Sequence, residues 1–310
     1  LTSSVAVTSS IKLLVANTPT KIVINEGLSD ETTHTSTGSS AHYLEVAFSG
    51  NVQTISVGPP SSTGIGVLGM WFDGKKLIDD TITVTTPSIA STYRANPTAG
   101  FSIVSYTGSG TSGDNVAHGL NDKPQLILTK NRDNNDYWAV YHTSLTSGYA
   151  LQLDDAAAEF AGSQIYTSTA PTSTVFTVGS NDAVNASSEK YISYCWSEVA
   201  GYSKFSSYTG NDAADGIFEF TGFKPAFLLL KSMYSNSPNW FMVDSAQDPH
   251  NAVSSQLNPN VNSAVYDSPF VDFLSNGFKM RHSGNSGNAS AHTYMYAAFA
   301  EHPFKHSRAR

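Results

Sequence analysis

Two glutamates raise the question of catalysis first. Glu198 and Glu301 stand at the same point of a repeated segment, and glycoside hydrolysis needs two carboxylates placed across a sugar bond. A shared structural role, capping a strand end or pairing with Lys130 and Lys231, explains the recurrence equally well. No G-x-S-x-G elbow, H-E-x-x-H pair or P-loop accompanies them. His302 and His306 are four apart, but Pro303 breaks the helix that would aim both at one metal. Asp79-Asp80 and Asp154-Asp155 lack the EF-hand spacing and read as turn acids. Cys195 is the single cysteine, which excludes an intramolecular disulfide and a Cys-based zinc site; it reads as a small packed side chain. The expectation is a protein without catalysis and without a cofactor.

Binding is the better-supported chemistry. Trp138 and Trp240 could stack on sugars, yet equivalent tryptophans at one repeat position read first as core. The loops before them differ between copies. One is Asn131-Arg132-Asp133-Asn134-Asn135-Asp136, and the other runs from 232 to 239 with Tyr234, Asn236 and Asn239. Amide, acid, guanidinium and aromatic groups together suit hydrogen bonding and stacking to glycans. The binding candidates are therefore Asn131, Arg132, Asp133, Asn135, Tyr234, Asn236 and Asn239, against the plain alternative of solvated hairpin loops. Asn185-Ala-Ser and Asn288-Ala-Ser match the glycosylation pattern and read as turns.

These loops must be held by something, and self-similarity shows what. Ser105-Tyr106-Thr107-Gly108 recurs as Ser207-Tyr208-Thr209-Gly210, an offset of 102. Lys123-Pro124 and Lys130 recur as Lys224-Pro225 and Lys231 at 101, Trp138 as Trp240 at 102, and Tyr191 and Glu198 as Tyr294 and Glu301 at 103. The period exceeds the roughly 20–50 residues of a solenoid unit, so tandem domains are expected.

Leu126–Lys130 and Phe227–Lys231 are short apolar runs opened by proline, like buried strands. Phe270 to Leu274, Asn276-Gly277 and Phe278 to Arg281 spell a hairpin. Tyr294–Ala300 has helix formers, but its counterpart Tyr191–Trp196 does not, so both read as strands. In the N-terminal part, Lys21–Ile24, Tyr43–Phe48 and Val52–Val57 read as strands and Gly69–Ile78 as a hairpin about Asp73-Gly74. Residues 27–41 read as a loop.

The fold expected is all-β: an N-terminal β-sandwich-like domain (1–85), a linker (86–100), two homologous β-sandwich repeats (101–203 and 204–304) and a tail (305–310). Trp138, Trp196, Trp240 and Phe299 are expected mostly buried.

Composition narrows the partners. The 310 residues carry a net charge of −8 and only 14% charged residues, with 44 Ser and 29 Thr. Hydroxyls, glycines and aromatics favour strands and turns. An acidic chain lacks the basic footprint of a nucleic-acid binder, and no apolar stretch is long enough for a membrane span. The start has neither a signal peptide nor an initiator Met, as in a fragment or processed product.

The copies resemble a repeat of marine bacteriophage appendage proteins. The residues that carry the likeness are Phe101–Gly110, Val116-Ala-His-Gly-Leu120 with Lys123-Pro124, Trp138–His142, Tyr191–Glu198 and Tyr294–Phe304. Gly69–Asp79, with Trp71-Phe-Asp-Gly-Lys-Lys-Leu-Ile78, resembles a strand–turn–strand that precedes such repeats, so the likeness covers about 65–310. It implies a virion protein of a tailed phage, a tail fibre attaching to host-surface glycan, with no catalytic residues to transfer. It also implies a homotrimer alongside other tail or capsid proteins. Three alternatives stand beside this: a structural virion subunit, a polysaccharide-cleaving tailspike, and a cellular adhesin.

Overall fold

The computed structural model describes residues 87–234 and 238–302, together with Glu31 and nine strands between residues 5 and 79. The chain forms two compact units, Leu1–Thr85 and Thr86–Arg310. Both are built from antiparallel sheets, and the fold is an all-β sandwich type.

The first unit has strands β1 (Val5–Val7), β2 (Ser10–Ala16), β3 (Thr20–Ile24), β4 (Thr32–Ser36), β5 (His42–Ala47), β6 (Gly50–Val52), β7 (Ile55–Gly58), β8 (Gly66–Phe72) and β9 (Lys75–Asp79). They pair in the orders β5-β2-β8-β9, β4-β3-β7 and β1-β6. Two sequence readings are corrected here. Residues 27–41 contain strand β4, and the single run Val52–Val57 breaks into β6 and β7 in different sheets. The β8–β9 pairing places Phe72 opposite Lys75 as a hairpin requires, while Asp73 and Gly74 lie outside the described residues.

In the second unit, copy 1 begins with β10 (Ser91–Asn96), β11 (Phe101–Thr107), β12 (Asn115–Ala117), β13 (Leu126–Asn131) and β14 (Ala139–His142). It continues with β15 (Tyr149–Gln152), β16 (Phe160–Ala161), β17 (Val175–Thr177), the short helix α1 (Asp182–Asn185) and β18 (Lys190–Trp196). Copy 2 holds β19 (Ser203–Thr209), β20 (Phe218–Phe220), β21 (Pro225–Ser232), β22 (Phe241–Asp244), β23 (Val253–Gln256), β24 (Tyr266–Leu274), β25 (Gly277–Met280) and β26 (Thr293–Ala300).

The main sheets share one order: β11-β18-β13-β14 in copy 1 and β19-β26-β21-β22 in copy 2. Register agrees too, since Thr129 pairs with Ala139 just after Trp138, and Leu230 with Phe241 just after Trp240. The 101–103 offset is thus a structural repeat. Tyr294–Ala300 lies in a strand, and Asn276 closes the β24–β25 hairpin with Leu274 opposite Gly277.

Each copy packs its main sheet on a second sheet, β12–β17 in copy 1 and β20-β25-β24-β23 in copy 2. The opposite faces of the two main sheets are also apolar. Leu126, Val140 and Leu151 of copy 1 form one cluster with Phe205, Leu229, Trp240, Met295 and Ala297 of copy 2. A sheet covered on both faces has no polar side to show, which is why Phe227–Leu230 reads as an unbroken apolar run rather than an alternation. Trp240 is sealed in this contact at 0% exposure. Trp138, Trp196 and Phe299 are only half-buried.

The segment expected to be a linker is part of copy 1. Ser91–Asn96 pairs with Phe101–Tyr106 of β11. Just before it, Ile89 bridges Val116 and donates its N–H to Asn115 O at 3.0 Å, and its side chain enters the core. Pro87 and Pro97 therefore bracket an edge strand, where proline is tolerated. Ile89→Ala is expected to cost about 2–4 kcal/mol by opening a cavity between the sheets. A urea unfolding midpoint unchanged from the parent would show that the segment is not structural.

Candidate functional site

The repeated motifs are a frame for loops. Tyr106 stacks on Tyr191 with ring centroids 5.2 Å apart, and Tyr208 stacks on Tyr294 at 5.3 Å. The following glycines allow close backbone approach: a Cβ on Gly108 would lie 2.2 Å from Ala186 O, and one on Gly210 would lie 2.3 Å from Ala289 O. Asn185 and Asn288 are fully buried. Asn185 accepts from Ser109 N and donates to Thr111 O and Gly179 O; Asn288 accepts from Asn211 N and donates to Ala213 O. These asparagines are polar pins inside the fold, and burial closes them to glycosylation.

The frame holds the loop after β13. Asn131 is 2% exposed. Its Oδ1 accepts from the N–H groups of Asp133 at 2.9 Å and Asn134 at 3.1 Å, a side-chain-closed turn. Its Nδ2 lies within bonding distance of Asp136 Oδ2, Asp182 O and Glu189 Oε2. Asn131 thus shapes the loop from inside. Arg132, Asp133 and Asn135 are exposed, and Asp133 Oδ2 accepts from Lys190 N at 2.9 Å.

The same place in copy 2 has different chemistry. Tyr234 is 68% exposed, and its ring lies 4.5 Å from that of His292. Asn239 is half-buried and accepts from Asn260 Nδ2 at 2.9 Å. Asn236 lies outside the described residues. Register pairs Thr107 with Lys190 and Thr209 with Thr293, so Glu189 and His292 occupy matching positions. An acidic and basic corner in copy 1 becomes an aromatic pair in copy 2.

Beside Arg132 lies an open groove of about 260 Å³. Ser91 and Thr92 of β10, Ser105 and Thr107 of β11, Lys190 of β18 and Arg132 line it. Arg132 N donates to Lys190 O at 2.8 Å, which fixes the two basic residues side by side. Neither forms an ion pair with a carboxylate among the described residues. The neighbouring acids are already engaged: Asp133 by Lys190 N, Asp136 by Asn131, and Glu189 by Asn131 and Asn134. Sequence reasoning named Arg132 and missed Lys190 and the hydroxyls.

The two repeated glutamates serve as ion-pair partners. Glu198 pairs with Lys204 at 2.9 Å and Glu301 with Lys224 at 3.0 Å. The pairing expected with Lys130 and Lys231 is corrected. Lys130 Nζ donates to Asp136 O, and Lys231 is fully buried, donating to Ser232 O at 3.0 Å and Ala156 O of copy 1 at 3.2 Å. Burial pulls the Lys231 ammonium down to about 8. Cys195 is fully buried and free, and burial pushes its thiol well up, so it packs and does not react. His142 is buried between the copies, Nε2 against Tyr296 O at 3.1 Å and Nδ1 accepting from Ser144 N at 3.1 Å.

No curated protein and no solved structure matches the chain. One family model does, over residues 69–303, which takes in most of the β8–β9 hairpin and the strands of both copies. Since that match spans most of the sequence, the chain belongs to the DUF7483 family, a domain of unknown function.

Proposed function

We propose that this protein is a non-enzymatic appendage subunit of a tailed-phage virion, a tail fibre that attaches to glycan on the host surface. One observation carries the reading. Two copies of one β-scaffold hold exposed loops at matching positions, with Arg132, Asp133 and Lys190 in one and Tyr234 with His292 in the other. A rigid frame with chemically divergent loops is the arrangement by which scaffolds carry recognition. The likeness of residues 65–310 to marine phage appendage proteins supplies the virion setting and the other tail or capsid proteins as partners.

Assembly as a homotrimer fits the same reading. Strand β20 ends its sheet, and Phe218 and Phe220 on it are 47% and 61% exposed. An exposed aromatic edge strand is a hazard unless another chain covers it. Several weak sites on one fibre would gain about 10²–10⁴ in avidity.

Light scattering on the purified chain should report the mass of a trimer, and antibody against residues 86–310 should label the tail appendage of intact particles. A stable monomer at micromolar concentration would sink the trimer. Label confined to the capsid would favour a structural virion subunit instead.

A further inference from the structure

We infer that the groove at Arg132 and Lys190 binds an anionic polysaccharide, one carrying carboxylate or sulfate groups on its sugar rings. The inference rests on the attachment reading above and names its ligand class.

Main-sheet geometry sets the charges. Thr107 pairs with Lys190 across β11 and β18, and Arg132 lies next to Lys190 through the 2.8 Å backbone bond. Thr107, Lys190 and Arg132 therefore form a short row across β11, β18 and the first residue after β13, at the edge of the groove. Two rows along, Lys130 pairs with Ile192, which pairs with Ser105. Lys130 thus adds a third cation to the same face, its ammonium donating to Asp136 O.

Such a cluster is unexpected on a chain of net charge −8. Neither Arg132 nor Lys190 forms an ion pair among the described residues, so both side chains keep their donors for an incoming anion, even with the Asp133 carboxylate beside Lys190 N. The guanidinium fork matches a carboxylate or sulfate with two parallel hydrogen bonds, while the lysine acts as a point charge.

The rest of the lining argues for a sugar. Thr92, Ser105 and Thr107 bring hydroxyls, which both donate and accept, as ring hydroxyls do. At about 260 Å³ the groove lies below the roughly 300–1,000 Å³ of sites that enclose a small molecule. It suits a short stretch of polymer passing across the surface. Duplex nucleic acid is disfavoured, because its dense phosphate charge meets the acidic remainder of the surface.

The test is binding of the full-length chain to immobilised dextran, dextran sulfate and polygalacturonate, with duplex DNA as a fourth surface, at low and high salt. The parent should retain dextran sulfate or polygalacturonate and release it at about 1 M salt, where screening acts within about 3 Å. It should ignore dextran and DNA. R132Q/K190Q should weaken binding to the charged polymer at least about tenfold with an unchanged melting temperature. R132Q and K190Q singly should each weaken it less.

Undiminished binding by the double variant would overturn the groove assignment. Binding to DNA lost in the same variant would make the site a general polyanion patch and overturn the sugar class. Retention of neutral polysaccharide alone would overturn this inference while leaving attachment standing. Retention of no polysaccharide would overturn both.

Discussion

Replacing Trp240 by alanine is expected to destabilise the second unit by about 3–5 kcal/mol, the range for truncating a buried aromatic. The indole is 0% exposed in the cluster joining the two copies, and its Nε1 donates to Gln152 O of copy 1 at 2.8 Å. Truncation leaves a cavity and an unpaired carbonyl together. Its repeat partner Trp138 is half-buried and stacked on Tyr194 with centroids 6.2 Å apart, so Trp138→Ala should cost only about 1–2 kcal/mol. Calorimetry of both variants in the full chain measures the difference. Equal losses would mean that the contact between the copies contributes little.

Acidification is the second large effect. His142 is fully buried between the copies, and burial lowers its imidazole from 6.5 to about 4. The folded chain therefore keeps it neutral, donating to Tyr296 O and accepting from Ser144 N. Above pH 6.5 neither state holds the proton, and this contribution to stability is complete. Between pH 6.5 and 4 the unfolded chain takes up a proton that the folded chain refuses, so stability falls as pH falls. At about 1.4 kcal/mol per pH unit, the loss reaches about 3 kcal/mol by pH 4. Buried His118, also lowered by desolvation, adds to the same trend. His142→Gln should flatten the slope of stability against pH over this window. An unchanged slope in the variant would remove His142 as the cause.

What was legible in the sequence was whatever repeats or alternates. The offset of about 102, the Asn276-Gly277 hairpin and the proline-opened runs at Leu126 and Phe227 each carry a local signal that the fold reproduces. Two hydroxyl-rich edge strands carried none. Thr32–Ser36 and Ser91–Asn96 each end their sheet among the described residues and are rich in hydroxyl residues, so they show no apolar alternation and read as loops. One residue of the candidate loop, Asn131, lies inside rather than on the surface, for a related reason. Asn131 has the side chain of a surface binder, yet its position as the last residue of a buried strand turns the amide inward. The groove was out of reach because Lys190 and the Ser91–Thr92 segment meet Arg132 only through sheet pairing. The contact between copies was half visible: the unbroken run Phe227–Leu230 signals burial on both faces without saying what covers the second one.

Attachment without cleavage is tested most directly by biolayer interferometry of the full-length chain against a panel of bacterial surface polysaccharides, with polymer length followed in the same samples. The expected result is saturable binding to at least one polysaccharide whose length stays constant through prolonged incubation. Shortening of a bound polymer, or no retention of any polysaccharide at high protein concentration, would contradict it.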